Sequence, residues 1–130
     1  MDIEKEIKLK FADKIISLKE TEKGKIYIDI NPAYVKFFAE SFFNDFGLRF
    51  ITATGTDTRK YIEIMYHFSD DSSDKIFSLR AFIYDKKNPA IDSISNILRA
   101  AEWIEREIHE LLGVNFIGHK NLRHLLLSDD

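Results

Sequence analysis

The sequence predicts an α+β fold: a two-layer domain with a mostly antiparallel sheet and helices on one face. Three observations carry that prediction. Residues 25–30 alternate with a period of two, and in 61–68 Ile62, Ile64, Tyr66 and Phe68 alternate with Tyr61, Glu63, Met65 and His67, which marks strands. Short polar stretches separate the strand-like runs, so neighbouring strands pair locally and antiparallel. Residues 32–46 and 95–112 carry apolar side chains at helical spacing, and each needs a sheet face to cover.

The elements follow in the order α-β-β-α-β-β-β-α, with an extended C-terminal tail. Residues 2–11 place Ile3, Ile7 and Phe11 four apart, the spacing of a short amphipathic helix. Ile15-Ile16-Ser17-Leu18 and the run 25–30 flank Glu22-Lys23-Gly24 and read as a hairpin. Asn31 is a good helix N-cap, and Pro32 suits the first helical position because its missing N–H needs no partner there. Tyr34, Phe37, Phe38, Phe42 and Phe46 then share helical spacing, and Gly47 supplies the stop. Three strands are predicted over 48–56, 61–68 and 76–84. They are joined by the turn Asp57-Thr58-Arg59 and the polar loop 69–75. The last helix is predicted over 95–112, capped by Ser93 or Ser95 and closed by Gly113. The tail, 114–130, has no clear period.

A length of 130 residues suits one domain, 1–130. Hydrophobic residues make up 45% and charged residues 32%, the balance of a folded chain rather than a disordered one. Eleven Phe give a core that needs no staples. Cysteine is absent, which excludes disulfides, thiolate-held zinc or iron–sulfur sites and a thiol nucleophile. A net charge of -3 argues against nucleic-acid binding. The N-terminus is charged throughout and no run approaches the ~20 apolar residues of a membrane helix. The expectation is a cytoplasmic chain that meets a membrane only through a partner.

One charge is misplaced. On a helical wheel Ile94, Leu98, Ala101, Ile104, Ile108, Leu111 and Leu112 share an arc, and Glu105 falls inside it. A carboxylate there costs several kcal/mol unless it is paired. The expectation is a cation brought by the tail, such as Arg123, or by a partner chain; the alternative is a wet edge. Arg106 points the other way and stands four from both Glu102 and Glu110, so two ion pairs can brace the outer face.

Other patterns carry no chemistry. His109-Glu110-Leu111-Leu112-Gly113 resembles a zinc-protease helix, but Gly113 stands where the second His is required. Asp70, Asp71 and Asp74 lack the Gly and bidentate Glu of a calcium loop. Thr54-Gly55-Thr56 lacks the lysine and glycine spacing of a phosphate loop. His119, Lys120, Arg123 and His124 are too few, and too poor in aromatics, for nucleic acid.

The run AAEWIEREIHELLGVNFIGH, from Ala100 to His119, followed by Leu122-Arg123-His124-Leu125-Leu126-Leu127, resembles the signature of the respiratory complex I 30-kilodalton-subunit family, the C subunit in bacteria. Tyr66-His67 in the second strand of the meander is also similar to that family, and the resemblance spans about Asn31 to Leu127. Lys120 departs from the usual Pro after Gly-His. The short form, the Ser93–Ser95 lead-in and the Glu-Arg-Glu-Ile-His-Glu wording look more like the equivalent subunit of membrane-bound, energy-converting [NiFe] hydrogenases of the Ech type. The resemblance implies a non-catalytic subunit with no catalytic, cofactor-binding or metal-binding residues of its own. The nickel–iron site and the iron–sulfur clusters would lie in partners: a large 49-kilodalton-like or hydrogenase large subunit and a small iron–sulfur subunit. It implies a partner interface built from Trp103, Glu105, Arg106, Glu107, Glu110, Gly113, Phe116, Gly118, His119 and Arg123, with 114–130 as a docking tail. It also implies a peripheral place on the inner face of the cell membrane. A stand-alone interaction or scaffold module with the same fold is the alternative.

Overall fold

The computed structural model describes residues 2–120 and Leu122. Asp2 caps the first helix, α1 (Ile3–Lys10), by accepting from the Lys5 N–H, and Ile3 and Ile7 turn inward. A hairpin of β1 (Ile15–Glu22) and β2 (Lys25–Ile30) follows. Asn31 caps the next segment as expected: its side chain accepts from the Ala33 N–H at 2.9 Å. The segment opens as a 3-10 turn, Pro32–Tyr34, before it becomes α2 (Val35–Asn44). The meander is β3 (Arg49–Asp57), β4 (Ile62–Asp70) and β5 (Lys75–Ile83).

The five strands form one sheet in the order β1-β2-β5-β4-β3. Every pairing is antiparallel except β2 with β5, where Ile26, Ile28 and Ile30 stand opposite Phe77, Leu79 and Ala81. That parallel seam joins hairpin to meander. It aligns their inward residues, which is what a period of two requires of a shared core face.

The core lies between that face and the helices. Phe42 of α2 meets Phe68 at 5.1 Å and Phe77 at 6.4 Å, both edge-on, and Phe11 stacks on Phe38 at 4.3 Å. The opposite sheet face is polar and aromatic. There Arg80 forks onto Asp29 at 2.6 and 3.0 Å and lies over the rings of Tyr27 and Phe82.

The C-terminal part departs from expectation. The last helix, α3 (Ala101–Leu112), starts six residues later than the predicted Ser95. Neither Ser93 nor Ser95 caps it, and residues 94–100 instead form turns closed by Leu98 N–H to Ile94 O at 2.9 Å and Ala101 N–H to Leu98 O at 2.9 Å. Two short strands, absent from the predicted order, pair in parallel: β6 (Ala90–Asp92) and β7 (Asn115–Ile117). So the first part of the predicted tail belongs to the domain, because Val114 and Phe116 have a core to enter. Of the predicted tail, Asn121 and residues 123–130 lie outside the described residues.

Gly55 explains where α3 sits. A Cβ there would lie 2.8 Å from Leu112 Cδ1 and 3.1 Å from Ile108 Cγ2. Helix and strand approach so closely only because that side chain is missing.

Candidate functional site: the third helix and the strand after it

Ala101, Glu105 and Ile108 form the buried stripe of α3, and Leu112 continues it at the next turn. Leu111, placed in the apolar arc by the sequence, is instead 81% exposed. It lies about a quarter turn from that stripe at ~100° per residue, and the sheet reaches only one side of the helix.

Glu105 is 1% exposed. Among the described residues its two oxygens each meet a hydrogen-bond donor. The Ser93 hydroxyl donates to Oε1 at 2.6 Å and the Ile94 N–H donates to Oε2 at 2.9 Å. His119 Nε2 is 4.0 Å from Oε1, and it donates to the Glu102 carbonyl oxygen at 2.9 Å. Arg123, the cation expected from the sequence, lies outside the described residues. The wet-edge alternative fails, since the carboxyl is enclosed. Burial pushes its pKa from 4.5 up to about 7, against the opposing pull of the Ser93 and Ile94 bonds; Glu102 adds a smaller upward push. The Tyr66 phenol is buried close enough to feel Glu105 and Asp92, and its pKa is raised well above the usual value, chiefly by burial.

Gly113 takes φ 73° and ends α3, a left-handed turn that costs glycine nothing. Just past it His109 Nδ1 donates to the Val114 carbonyl oxygen at 2.8 Å, which fixes the exit of the chain. His109 is thereby engaged in a turn. Among the described residues no three His, Asp or Glu side chains come together as a metal site.

The ten residues implied for a partner interface divide. Glu105, Phe116 and the His119 side chain are inside the domain, and the Arg106 side chain is largely covered. Arg106 pairs with Glu102 at 3.8 Å, as the spacing predicted, and lies 5.1 Å from the Trp103 ring centroid. Trp103, Glu107, Gly113 and Gly118 face outward, and Glu110 is half-buried. Trp103 is 55% exposed and Ile117 of β7 is 53% exposed, so with Leu111 three large apolar groups stand on this part of the surface.

Sequence reasoning missed Ser93 and the Ile94 N–H as the partners of Glu105. The signal was present in the serines just upstream of the helix, read there as caps. It also missed Ile117, which only the β7 pairing turns outward.

Residues 28–130 match the family described as respiratory-chain NADH dehydrogenase, 30 kDa subunit. The chain belongs to that family. The NADH-quinone oxidoreductase C subunit of Ruegeria pomeroyi is 31% identical over 126 residues, covering 92% of this chain and 62% of that protein. The same subunit of Geobacter sulfurreducens is 27% identical over 130 residues, covering 95% and 78%. The chain thus spans about three fifths of the length of the Ruegeria relative. Among solved structures, the trypsin-resistant fragment (1–134) of Nqo5 superposes with a TM-score of 0.77 at 17% identity, over 94% of this chain and 100% of that one. A chain of the membrane-bound sulfane sulfur reductase, an archaeal respiratory membrane complex, superposes with a TM-score of 0.82 at 23% identity, over 99% and 76%. Both share the mixed α+β fold of this chain. Among the described residues no helix is long and apolar enough to cross a membrane.

Proposed function

We propose that this 30 kDa-family chain is a non-catalytic, hydrophilic subunit of a membrane-bound oxidoreductase of the complex I type. It supports a large catalytic subunit and a small iron–sulfur subunit in electron transfer. The observation that carries the reading is the family match over residues 28–130, which takes in all of α3 and β7. The names of the curated relatives, C or fused C/D subunits of NADH-quinone oxidoreductases, support it.

The physical chemistry agrees. Trp103, Leu111 and Ile117 leave apolar surface open beside the acidic side chains of Glu107 and Glu110. Large aromatics at a rigid helix surface are the anchors that interfaces favour. The donor set suits support rather than redox chemistry, since without cysteine the chain offers no thiolate to a cluster. In this reading the nickel–iron or quinone site and the clusters belong to the partners. The segment 114–130, expected from the sequence to be a docking tail, is assigned to contact with the large subunit. The complex sits on the inner face of the cell membrane. The Glu-Arg-Glu-Ile-His-Glu wording of α3 favours an energy-converting [NiFe] hydrogenase over a quinone reductase.

The test is purification of the tagged chain from native membranes with identification of what comes with it. A hydrogenase-like or 49-kilodalton-like large subunit and a small iron–sulfur subunit in equal amounts are expected. Recovery of the chain alone at its native abundance overturns the proposal in favour of a stand-alone scaffold. Four nickel-ligating cysteines in the co-purified large subunit identify a hydrogenase, and their lack overturns the hydrogenase assignment.

A further inference from the structure

Beneath α3 the hydroxyls form a directed line. A serine hydroxyl has one hydrogen to give and two lone pairs to receive. Ser93 Oγ accepts from the Ser95 N–H at 3.1 Å and lies 2.8 Å from Ser95 Oγ. Its own hydrogen goes to Glu105 Oε1 at 2.6 Å, so while the carboxylate is charged the Ser95 hydroxyl is the donor to Ser93. Ser95 in turn lines an open surface groove of about 340 Å³ with Asn96, Arg99, Glu102 and Lys120. The line therefore runs from a buried carboxyl to water in two steps.

We propose that Glu105 is an internal proton-binding site, loaded from solvent through Ser95 and Ser93, and that its proton reverses the hydrogen bonds holding the turn before α3. The transfer balances without any redox partner. Ser95 Oγ takes a proton from water in the groove and passes its own to Ser93 Oγ. Ser93 passes its own to Glu105 Oε1. One proton leaves solvent and one carboxylate becomes a carboxylic acid. Both hydroxyls end pointing the other way: Glu105 donates to Ser93, Ser93 to Ser95, and Ser95 Oγ turns its hydrogen toward the groove.

The groups around this site are Glu102 on α3, Tyr66 on β4, Asp92 on β6 and His119 after β7. The charge on Glu102 favours uptake. The N–H of Ile94 opposes it, because that donor prefers the charged form. Burial of the carboxyl outweighs the bonds that favour its charge, and its midpoint falls near neutral pH.

The full chain, carrying carbon-13 in its Glu side chains, tests this by following the Glu105 carboxyl resonance with pH. A midpoint near 7 is expected, and titration near the ordinary 4.5 overturns the site. Ser93→Ala removes a donor to the charged form and should raise the midpoint by about one unit; an unmoved midpoint overturns the role of Ser93. Ser95→Ala should keep the midpoint but slow exchange, splitting one averaged line toward two. A single sharp line in Ser95→Ala overturns the serine route. Glu105→Gln assigns the resonance by removing it, and the wild-type and serine titrations stand whether or not that variant folds.

Discussion

Under the centre of the sheet, Phe42 lies among Phe38, Phe68 and Phe77. Under α3, at similar depth, Glu105 lies among two donated hydrogen bonds and a turn of backbone. The first region is held by area and shape, which are indifferent to pH and tolerant of a somewhat different apolar side chain. The second is held by a few directional bonds, which do not tolerate the loss of either partner. The difference teaches where the domain is generic and where it is specified. The aromatic core holds the sheet together, while the polar knot dictates how α3 and the chain after it are presented.

Four measurements break or sharpen that contrast. The largest effect is expected from Phe42→Ala, which removes a ring wholly buried among rings. It should cost ~3–5 kcal/mol in urea unfolding, equally at any pH where the chain is folded.

The next effect belongs to pH. Because the folded-state pKa of Glu105 is raised from 4.5 to about 7, the folded state holds that proton more tightly than the unfolded chain. Its contribution to stability is fully present below the lower value and declines as pH rises through that window. It is gone above the upper one, a swing on the order of 3 kcal/mol. Urea midpoints collected across the window should fall for wild type and stay flatter in Glu105→Gln. A wild-type midpoint that rises with pH contradicts the assignment.

Glu105→Ala orphans the Ile94 N–H, worth ~1–3 kcal/mol when left buried and unpaired, and leaves the Ser93 hydroxyl to turn to Ser95 Oγ. Its penalty should be larger at acidic than at alkaline pH, where wild type has already lost its advantage. Phe42→Ala should show no such trend, which separates the two regions in one pair of titrations.

The smallest effect on stability is expected from Trp103→Ala, within ~0.5 kcal/mol, because the ring is mostly outside. The same change should reduce co-purification of the large subunit several-fold. A drop in thermal stability with intact assembly assigns Trp103 to the fold instead.

The aromatic region was legible in the sequence and the polar knot was not. Strict alternation in 25–30 and the shared face of Ile62, Ile64, Tyr66 and Phe68 mark strand faces that the structure keeps, and Asn31 and Gly113 mark their turns correctly. Periodicity fails for β6 and β7, three residues each, since no period is visible in three positions. Their pairing is parallel and spans the whole of α3, so no turn motif announces it. The late start of α3 has a related cause: Ile94 and Leu98 are spaced for a helix, yet Ser93 and Ile94 are drawn to a carboxyl more than a helical turn's worth of sequence away. Glu105 itself stood out as a charge among apolar residues. Its partners could not be named, because a backbone N–H leaves no mark in composition.

The parallel seam between β2 and β5 has a consequence for synthesis. Asp29 and Arg80, on those adjacent strands, are 51 positions apart. A ribosome emitting this chain releases the first hairpin and α2 long before β5 emerges. Until then Ile26, Ile28 and Ile30 have no neighbour on one side, and the nascent hairpin exposes a sticky strand. Closing so distant a contact slows folding. The step that commits the chain should be the arrival of β5, so stalled translation just short of Lys75 should yield a species bound by chaperones rather than a small folded core.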